Sequence, residues 1–145
     1  MSRLQRVVFD SSTLVGAALR VGSTPHRALS VALHFWDLCA SAETLAELEE
    51  VLDRSKFDRY LIREKRRIFV ANLRRRVHLF VVPDATMSET ELPCRDPKDN
   101  PFLVLALIAE ADVLVSSDTD LLVLHPWRGI PIVTPAEFLA GFSKS

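Results

Sequence analysis

The stretch from Cys94 to Leu122 (CRDPKDNPFLVLALIAEADVLVSSDTDLL) most constrains the fold. An acidic segment containing Asp96 and Asp99 precedes an apolar helix, which we predict over Phe102–Ala109. The helix leads into a short apolar strand, Val113–Val115, and the strand ends in Ser-Ser-Asp-Thr-Asp. In open α/β sheets, functional sites form beyond the carboxyl ends of the strands. The stretch therefore predicts an αβ unit with acids at one edge of a sheet.

The N-terminus repeats this arrangement of an apolar strand followed by polar residues. A strand predicted over Arg6–Phe9 is followed by Asp10 and Ser12. Asp10 and Asp118 thus both follow a strand, and Asp99 stands just before a helix. We expect these acids to converge and to hold a divalent metal ion.

The remaining chain continues to alternate between strands and helices. Further strands are predicted over Trp36–Ala40, His78–Val82 and Ile130–Val133. Helices are predicted at Leu14–Leu19, from Thr24-Pro25 with Thr24 as the cap, over Ala42–Asp53, over Arg63–Arg76, at Leu121–Leu124 and after Thr134-Pro135. The alternation predicts an α/β fold with a mostly parallel sheet and helices on both faces. We expect residues 1–145 to form one domain, because 145 residues is an ordinary domain size.

Composition excludes several classes of protein. The chain is 48% hydrophobic and 26% charged, as globular proteins are. No run of about 18 apolar residues is present, and the N-terminus lacks the apolar stretch of a signal peptide. Cys39 and Cys94 have no His or Cys partner at ligand spacing, which argues against a zinc site or a disulfide framework. We expect a cytoplasmic protein that does not bind membranes.

Charge is divided between two parts of the chain. Lys56–Arg76 contains nine basic and two acidic residues, whereas Asp84–Asp120 contains nine acidic and two basic residues. Carboxylates beside a basic surface suit metal-assisted chemistry on a phosphodiester polyanion. A simple solvated helix explains the basic stretch equally well.

Crowded carboxylates need either protons or a cation, and oxygen ligands favour Mg²⁺ or Mn²⁺ over zinc. Such ions can activate water and stabilise a leaving oxygen, which hydrolyses phosphodiesters without a protein nucleophile. Each acid also has a plain structural interpretation, as a helix cap at Asp99 or as a turn residue at Asp10 and Asp118. An acidic stripe in the helix over 42–53 adds further candidates, namely Glu43, Glu47 and Glu50.

Four motifs together resemble a PIN domain, particularly the bacterial and archaeal toxin components of toxin–antitoxin systems. They are VVFDSSTLVGA (Val7–Ala17), SAETLAELEEVLDRSKF (Ser41–Phe57), CRDPKDNPFLVLALIAEADVLVSSDTDLL (Cys94–Leu122) and GIPIVTPAEFL (Gly129–Leu139). They span nearly the whole chain in the expected order. The resemblance implies a three-layer α/β/α fold with a mostly parallel sheet, and a ribonuclease that depends on Mg²⁺ or Mn²⁺.

The resemblance also implies residue roles. It assigns catalysis and metal binding to Asp10, Glu47, Asp99 and Asp118, and so selects Glu47 from the acidic stripe. Accessory candidates are Asp96, Asp120, Ser12 and Ser117, with Ser116 or Ser117 replacing a small polar residue before the fourth acid. One departure is Ser12, where the family commonly has Asn; its hydroxyl can still hydrogen-bond a carboxylate or water.

Partners follow from the same resemblance. We expect an RNA substrate, a small antitoxin protein and a homodimer. From the basic stretch we further expect Arg74, Arg75 and Arg76 to contact the phosphate backbone. The main alternative function is a catalytically silent PIN-like domain that binds RNA or a protein partner.

Three other folds with an Asp after a strand do not fit. A haloacid-dehalogenase-type phosphatase needs a second Asp at position 12, which is Ser12. A response-regulator receiver needs a late Lys, and none occurs between Lys98 and Lys144. A dinucleotide-binding domain needs a Gly-rich first turn, which is absent.

Overall fold

The computed structural model describes residues 3–83 and 100–142. The strands are β1 (Arg6–Phe9), β2 (Asp37–Ser41), β3 (His78–Phe80), β4 (Val113–Val115) and β5 (Ile132–Val133). The helices are α1 (Ser11–Leu19), α2 (Thr24–Phe35), α3 (Ala42–Leu52), α4 (Arg63–Arg76), α5 (Asn100–Ile108), α6 (Thr119–Leu122) and α7 (Pro135–Gly141), with a 3₁₀ turn at Ser55–Phe57.

The strands form one sheet in the order β3-β2-β1-β4-β5, and every pairing is parallel. Successive residues of β1 face opposite sides. Val7 and Phe9 belong to a core shared with α1, α2, α3, α4 and α7, whereas Val8 belongs to a core shared with α5 and α6. This arrangement confirms the predicted three-layer fold with a parallel central sheet.

Most predicted elements are present, and their ends differ in physically understandable ways. The bounds of β1, α4 and β4 are as predicted. Helix α2 is capped by Ser23 rather than Thr24, because the Ser23 hydroxyl accepts from the His26 N–H at 3.3 Å. The last strand is shorter than predicted because Ile130 pairs with Trp127 in a tight turn instead.

The connector between α3 and α4, residues 53–62, is fixed by a buried arginine. Arg66 is only 1% exposed. Its guanidinium donates to the carbonyl oxygens of Leu52, Arg54 and Leu61, and it pairs with the Asp58 carboxylate. Because each of the three guanidinium nitrogens donates a hydrogen bond, the burial of Arg66 is compensated. Part of the basic stretch is therefore a structural clamp rather than solvated surface.

Two further expectations concern a loop and membrane insertion. Between the predicted strand His78–Val82 and the Cys94–Leu122 stretch, the polar residues of Thr86–Pro93 predict a loop, which lies outside the described residues. Among the helices that the structure describes, none is long and apolar enough to cross a membrane.

Candidate active site

Asp10 stands at the carboxyl end of the central strand β1 and caps α1. Its carboxylate accepts hydrogen bonds from the Thr13 N–H at 3.0 Å and from the Ser12 hydroxyl at 3.2 and 3.3 Å. The Ser116 hydroxyl, which follows β4, donates to it at 2.5 Å. Asp10 and β4 are thus connected at the same edge of the sheet.

The electrostatic state of Asp10 is unusual for an acid. It is 1% exposed, and it forms no ion pair with any residue in the described ranges. Burial raises its pKa above the usual range, against the hydrogen bonds from Ser116, Thr13 and Ser12, which lower it. A buried carboxylate with only neutral hydrogen-bond partners lacks charge compensation, which a cation would supply.

Ser116 links Asp10 to Asp118. The Asp118 N–H donates to the Ser116 hydroxyl oxygen at 2.9 Å, while that hydroxyl donates to Asp10. The Asp118 side chain caps α6 by accepting from the Asp120 N–H at 2.9 Å. Because β1 and β4 are adjacent and parallel, the acids that follow them meet at one edge.

A second hydroxyl pair joins the same two segments. The Thr13 and Ser117 hydroxyls are 3.0 Å apart. Thr13 is fully buried, whereas Ser117 is exposed. The first turn of α1 and the end of β4 are therefore fixed to each other at two points.

Glu47 reaches this region from α3. Its carboxylate accepts from the Ser11 hydroxyl at 3.3 Å, and Ser11 is the residue after Asp10. Helix α3 starts at the carboxyl end of β2, where Ser41 forms a capping box with Thr44. The structure thus brings Asp10, Glu47 and Asp118 to one edge through serine hydroxyls.

Asp96 and Asp99 lie outside the described residues. Asn100, which follows Asp99 in the sequence, begins α5, and its side-chain carbonyl oxygen is buried without a hydrogen-bond partner in the described ranges. The other end of α5 lies at the amino edge of the sheet, where the Ala109 carbonyl accepts from Arg6. Nine helical residues span about 13 Å, which carries Asn100 towards the edge that holds the acids.

The chemistry of these side chains suits a hard divalent cation. Carboxylate, hydroxyl and amide oxygens are ligands that Mg²⁺ and Mn²⁺ prefer. Within residues 3–83 and 100–142, no three His, Cys, Asp or Glu side chains are close enough together to hold a metal ion. The buried carboxylate of Asp10, which has no cationic partner in the described ranges, is the feature that fits such an ion. Fewer than three acids of the described ranges lie close enough together to share it.

The three arginines predicted to contact RNA lie at the end of α4. Arg74 pairs with Glu49 at 3.4 Å, and Arg76 donates to the Leu33 carbonyl at 3.3 Å. Glu49 and Glu47 are two residues apart on α3, or about 200° around the helix, so Arg74 is on the side of α3 opposite Glu47. The structure does not bring these arginines to the acids, and their RNA contact stays a prediction.

The sequence patterns did not indicate four contributors to the site, namely Ser11, Thr13, the bridging role of Ser116 and Asn100. The sequence does contain a signal that could have identified Ser11 and Thr13. Asp followed by three hydroxyl residues is typical of a helix N-terminus where side chains bond locally. No sequence pattern indicates that Ser116, rather than Ser117, faces Asp10.

A family model described as PIN domain matches residues 6–120. No curated protein sequence matches the chain. A chain of the Rickettsia felis VapBC2 crystal structure, bound to a DNA fragment from its promoter, is similar with a TM-score of 0.63 and 13% identity, over 88% of this chain and 97% of that one. Mycobacterium tuberculosis VapC20, a sarcin–ricin loop cleaving toxin, has a TM-score of 0.57 and 13% identity, over 86% and 98%. At this identity, the structural likeness shows a common fold.

Proposed function

Because this chain belongs to the PIN domain family, we propose that it is a metal-dependent endoribonuclease, the toxin component of a toxin–antitoxin system. The reaction is the hydrolysis of RNA phosphodiester bonds. Support comes from the fold that it shares with VapC proteins and from the acids at the carboxyl edge of the sheet. One of those similar proteins is described as cleaving the sarcin–ricin loop, which favours an RNA substrate here.

The observation that carries this proposal is the connection between Asp10 and Asp118 through Ser116. A fully buried carboxylate with no cationic partner in the described residues is costly to maintain for stability alone. Polar groups held at such a cost are typical of sites where charge is needed for chemistry. A divalent cation held by these acids would use that charge.

In this proposal Asp10, Glu47, Asp99 and Asp118 hold Mg²⁺ or Mn²⁺, with Asp96, Asp120, Ser12 and Ser117 as accessory residues. When bound, the ion supplies charge neutralisation and a water of lowered pKa. The chain's own residues orient the ligands. Ser116 and the Thr13 N–H fix the Asp10 carboxylate, and Ser11 directs Glu47.

Partners are proposed on the same grounds. VapBC2 in the similar structure is bound to a DNA fragment from its promoter, and from the resemblance to toxin components we propose a small antitoxin protein as a partner for this chain. A homodimer, expected from the family resemblance, and a cytoplasmic location belong to the same proposal.

The test is cleavage of RNA by purified protein with Mg²⁺ or Mn²⁺. We expect Asp10→Asn and Asp118→Asn each to lower the rate by at least about 100-fold, because each removes a charged ligand. The matched control is Asp112→Asn. Asp112 precedes the same strand, β4, and its carboxylate accepts from the Arg6 N–H, so it belongs to the opposite edge.

Cleavage at the wild-type rate by both site variants would reject the metal role. RNA binding without cleavage under any divalent ion would instead favour the silent PIN-like domain. Loss of activity in the Asp112 variant as well would indicate damage to the fold rather than to the site.

A further inference from the structure

A cleft of about 440 Å³ opens at the C-terminal end of α1. Its volume lies within the range of small-molecule sites in proteins. Its lining is mostly apolar and includes two aromatic rings and one cation, contributed by Gly16, Leu19, Arg20, Pro25, Phe57 and Tyr60. The rings come from the connector between α3 and α4, which Arg66 fixes in place.

Each of the two aromatic rings has a cation over it. The Lys56 ammonium is 5.1 Å from the centre of the Phe57 ring, and the Arg59 guanidinium is 5.3 Å from the centre of the Tyr60 ring. Tyr60 is 55% exposed. The cleft thus has accessible aromatic surface, with Arg20 in its lining and Lys56 and Arg59 beside its rings.

These cations are not neutralised within the described residues. Arg20, Lys56 and Arg59 form no ion pair there. Asp58, the acid between Lys56 and Arg59 in sequence, is already paired with Arg66. Their charge is therefore available to an anionic ligand.

The cleft is close to the acids along α1. Gly16, in its lining, is one helical turn beyond Ser12, whose hydroxyl donates to Asp10. Four residues of helix span about 6 Å and place both on the same face. Gly16 has no side chain, and a Cβ there would lie 3.4 Å from Pro25 Cγ.

We propose that this cleft binds an unpaired nucleobase of the RNA whose phosphodiester backbone reaches the acids. Sites for single-stranded nucleic acid combine aromatic rings, on which bases stack, with Lys and Arg that track the backbone. The inference rests on the proposed function for its substrate class. It adds a base-binding subsite one helical turn from Ser12, formed chiefly by Phe57 and Tyr60.

The test measures binding of single-stranded RNA oligonucleotides to the full chain by fluorescence anisotropy in EDTA. One nucleotide at a time is replaced by an abasic residue. For the wild type we expect one position whose abasic replacement weakens binding about 5-fold to about 100-fold, the range given by loss of base–aromatic stacking.

Tyr60→Ala should weaken binding of the unmodified RNA by a similar factor and abolish the penalty at that one abasic position. Tyr60→Phe keeps the ring and should behave as wild type. Phe35→Ala is the matched control, because Phe35 is 51% exposed at the end of α2 and is not in the cleft lining. Because Tyr60 is half exposed, its truncation removes little buried surface.

The proposal is overturned if Tyr60→Ala binds RNA with unchanged affinity, or if the abasic penalty persists in that variant. The apolar lining of the cleft would then suit a protein partner instead. The absence of any RNA binding also overturns it. Because binding is measured without metal, a protein that binds the base but does not cleave RNA refutes the proposed nuclease and retains the subsite. If the protein cleaves RNA and Tyr60→Ala does not change RNA binding, the proposed nuclease is retained and the base-binding subsite is refuted.

Discussion

Asp10 shows how one residue can serve the fold and the site in opposite directions. As the cap of α1 it satisfies the Thr13 N–H, which stabilises the helix start. As a buried carboxylate it has a raised pKa, which means that its charged form is disfavoured in the folded protein. Sites of function often retain such costs because the charge is needed there.

Ser116 is the residue whose removal tests this arrangement most selectively. Ser116→Ala deletes the donor to Asp10 and the acceptor for the Asp118 N–H while adding no bulk. We expect the Mg²⁺ or Mn²⁺ concentration for half-maximal cleavage to rise about 10-fold to about 100-fold, as it does when groups that orient metal ligands are removed. A titration of cleavage rate against divalent ion measures this.

The neighbouring serine provides the comparison for that titration. Ser117 contacts Thr13 rather than the Asp10 carboxylate, so Ser117→Ala should give a smaller shift. A wild-type metal response in Ser116→Ala would contradict the bridging role.

At the scale of elements, helix α4 has two kinds of arginine. Arg66, Phe69, Val70 and Leu73 follow the helical spacing of an inward stripe, so Arg66 occupies a position that an apolar residue usually fills. The arginines of the last turn are exposed instead. The basic residues of α4 therefore have two roles. Arg66 holds the connector between α3 and α4, and the arginines of the last turn lie at the surface.

The exposed arginines of the last turn supply a separate prediction. Joint substitution of Arg74, Arg75 and Arg76 by Ala should reduce the slope of log K against log salt for single-stranded RNA by up to about 2, at about 0.7 for each phosphate that the protein no longer neutralises. The experiment is an anisotropy titration at several salt concentrations. Arg3→Ala, at the amino edge beside Asp112, should leave the slope as in wild type.

The elements were largely predictable because their signals are local. β1, α4 and β4 have apolar patterns with abrupt polar ends, and their bounds were predicted correctly. The choice of Ser23 over Thr24 as a cap depends on which hydroxyl reaches a free N–H, which sequence alone does not decide. The linkage from Ser11 to Glu47 joins two helices, and such contacts depend on packing rather than on pattern.

Across the whole molecule, stability should respond to pH through two acids with opposite shifts. The hydrogen bond and charge of Arg67, with Arg63 nearby, hold the pKa of Asp53 below its usual value, whereas burial holds that of Asp10 above it. Asp53 therefore stabilises the fold above its unfolded pKa, and this contribution is lost as the pH falls through its lower folded pKa. The charge of Asp10 destabilises the fold at neutral pH, and that cost disappears as the pH falls through its raised pKa.

Urea unfolding in EDTA can separate these effects. At pH 7 we expect Asp53→Asn to be less stable than wild type and Asp10→Asn to be more stable, since Asn also caps helices well. The Asp10 difference should shrink towards zero at about pH 3, below the unfolded pKa of this acid, whereas the Asp53 difference should only begin to shrink there, because it is lost as the pH falls through the lower folded pKa of Asp53. Differences that do not change with pH would contradict the assigned charge states.

The separation of the acids along the chain bears on when the proposed site can assemble. Asp10 follows β1, whereas Ser116 and Asp118 follow β4, which comes after β1, β2 and β3 in the sequence. A chain still being translated lacks those residues and cannot assemble the pair of acids. In the proposed ribonuclease, the site can therefore assemble only after the chain has been synthesised through Asp118.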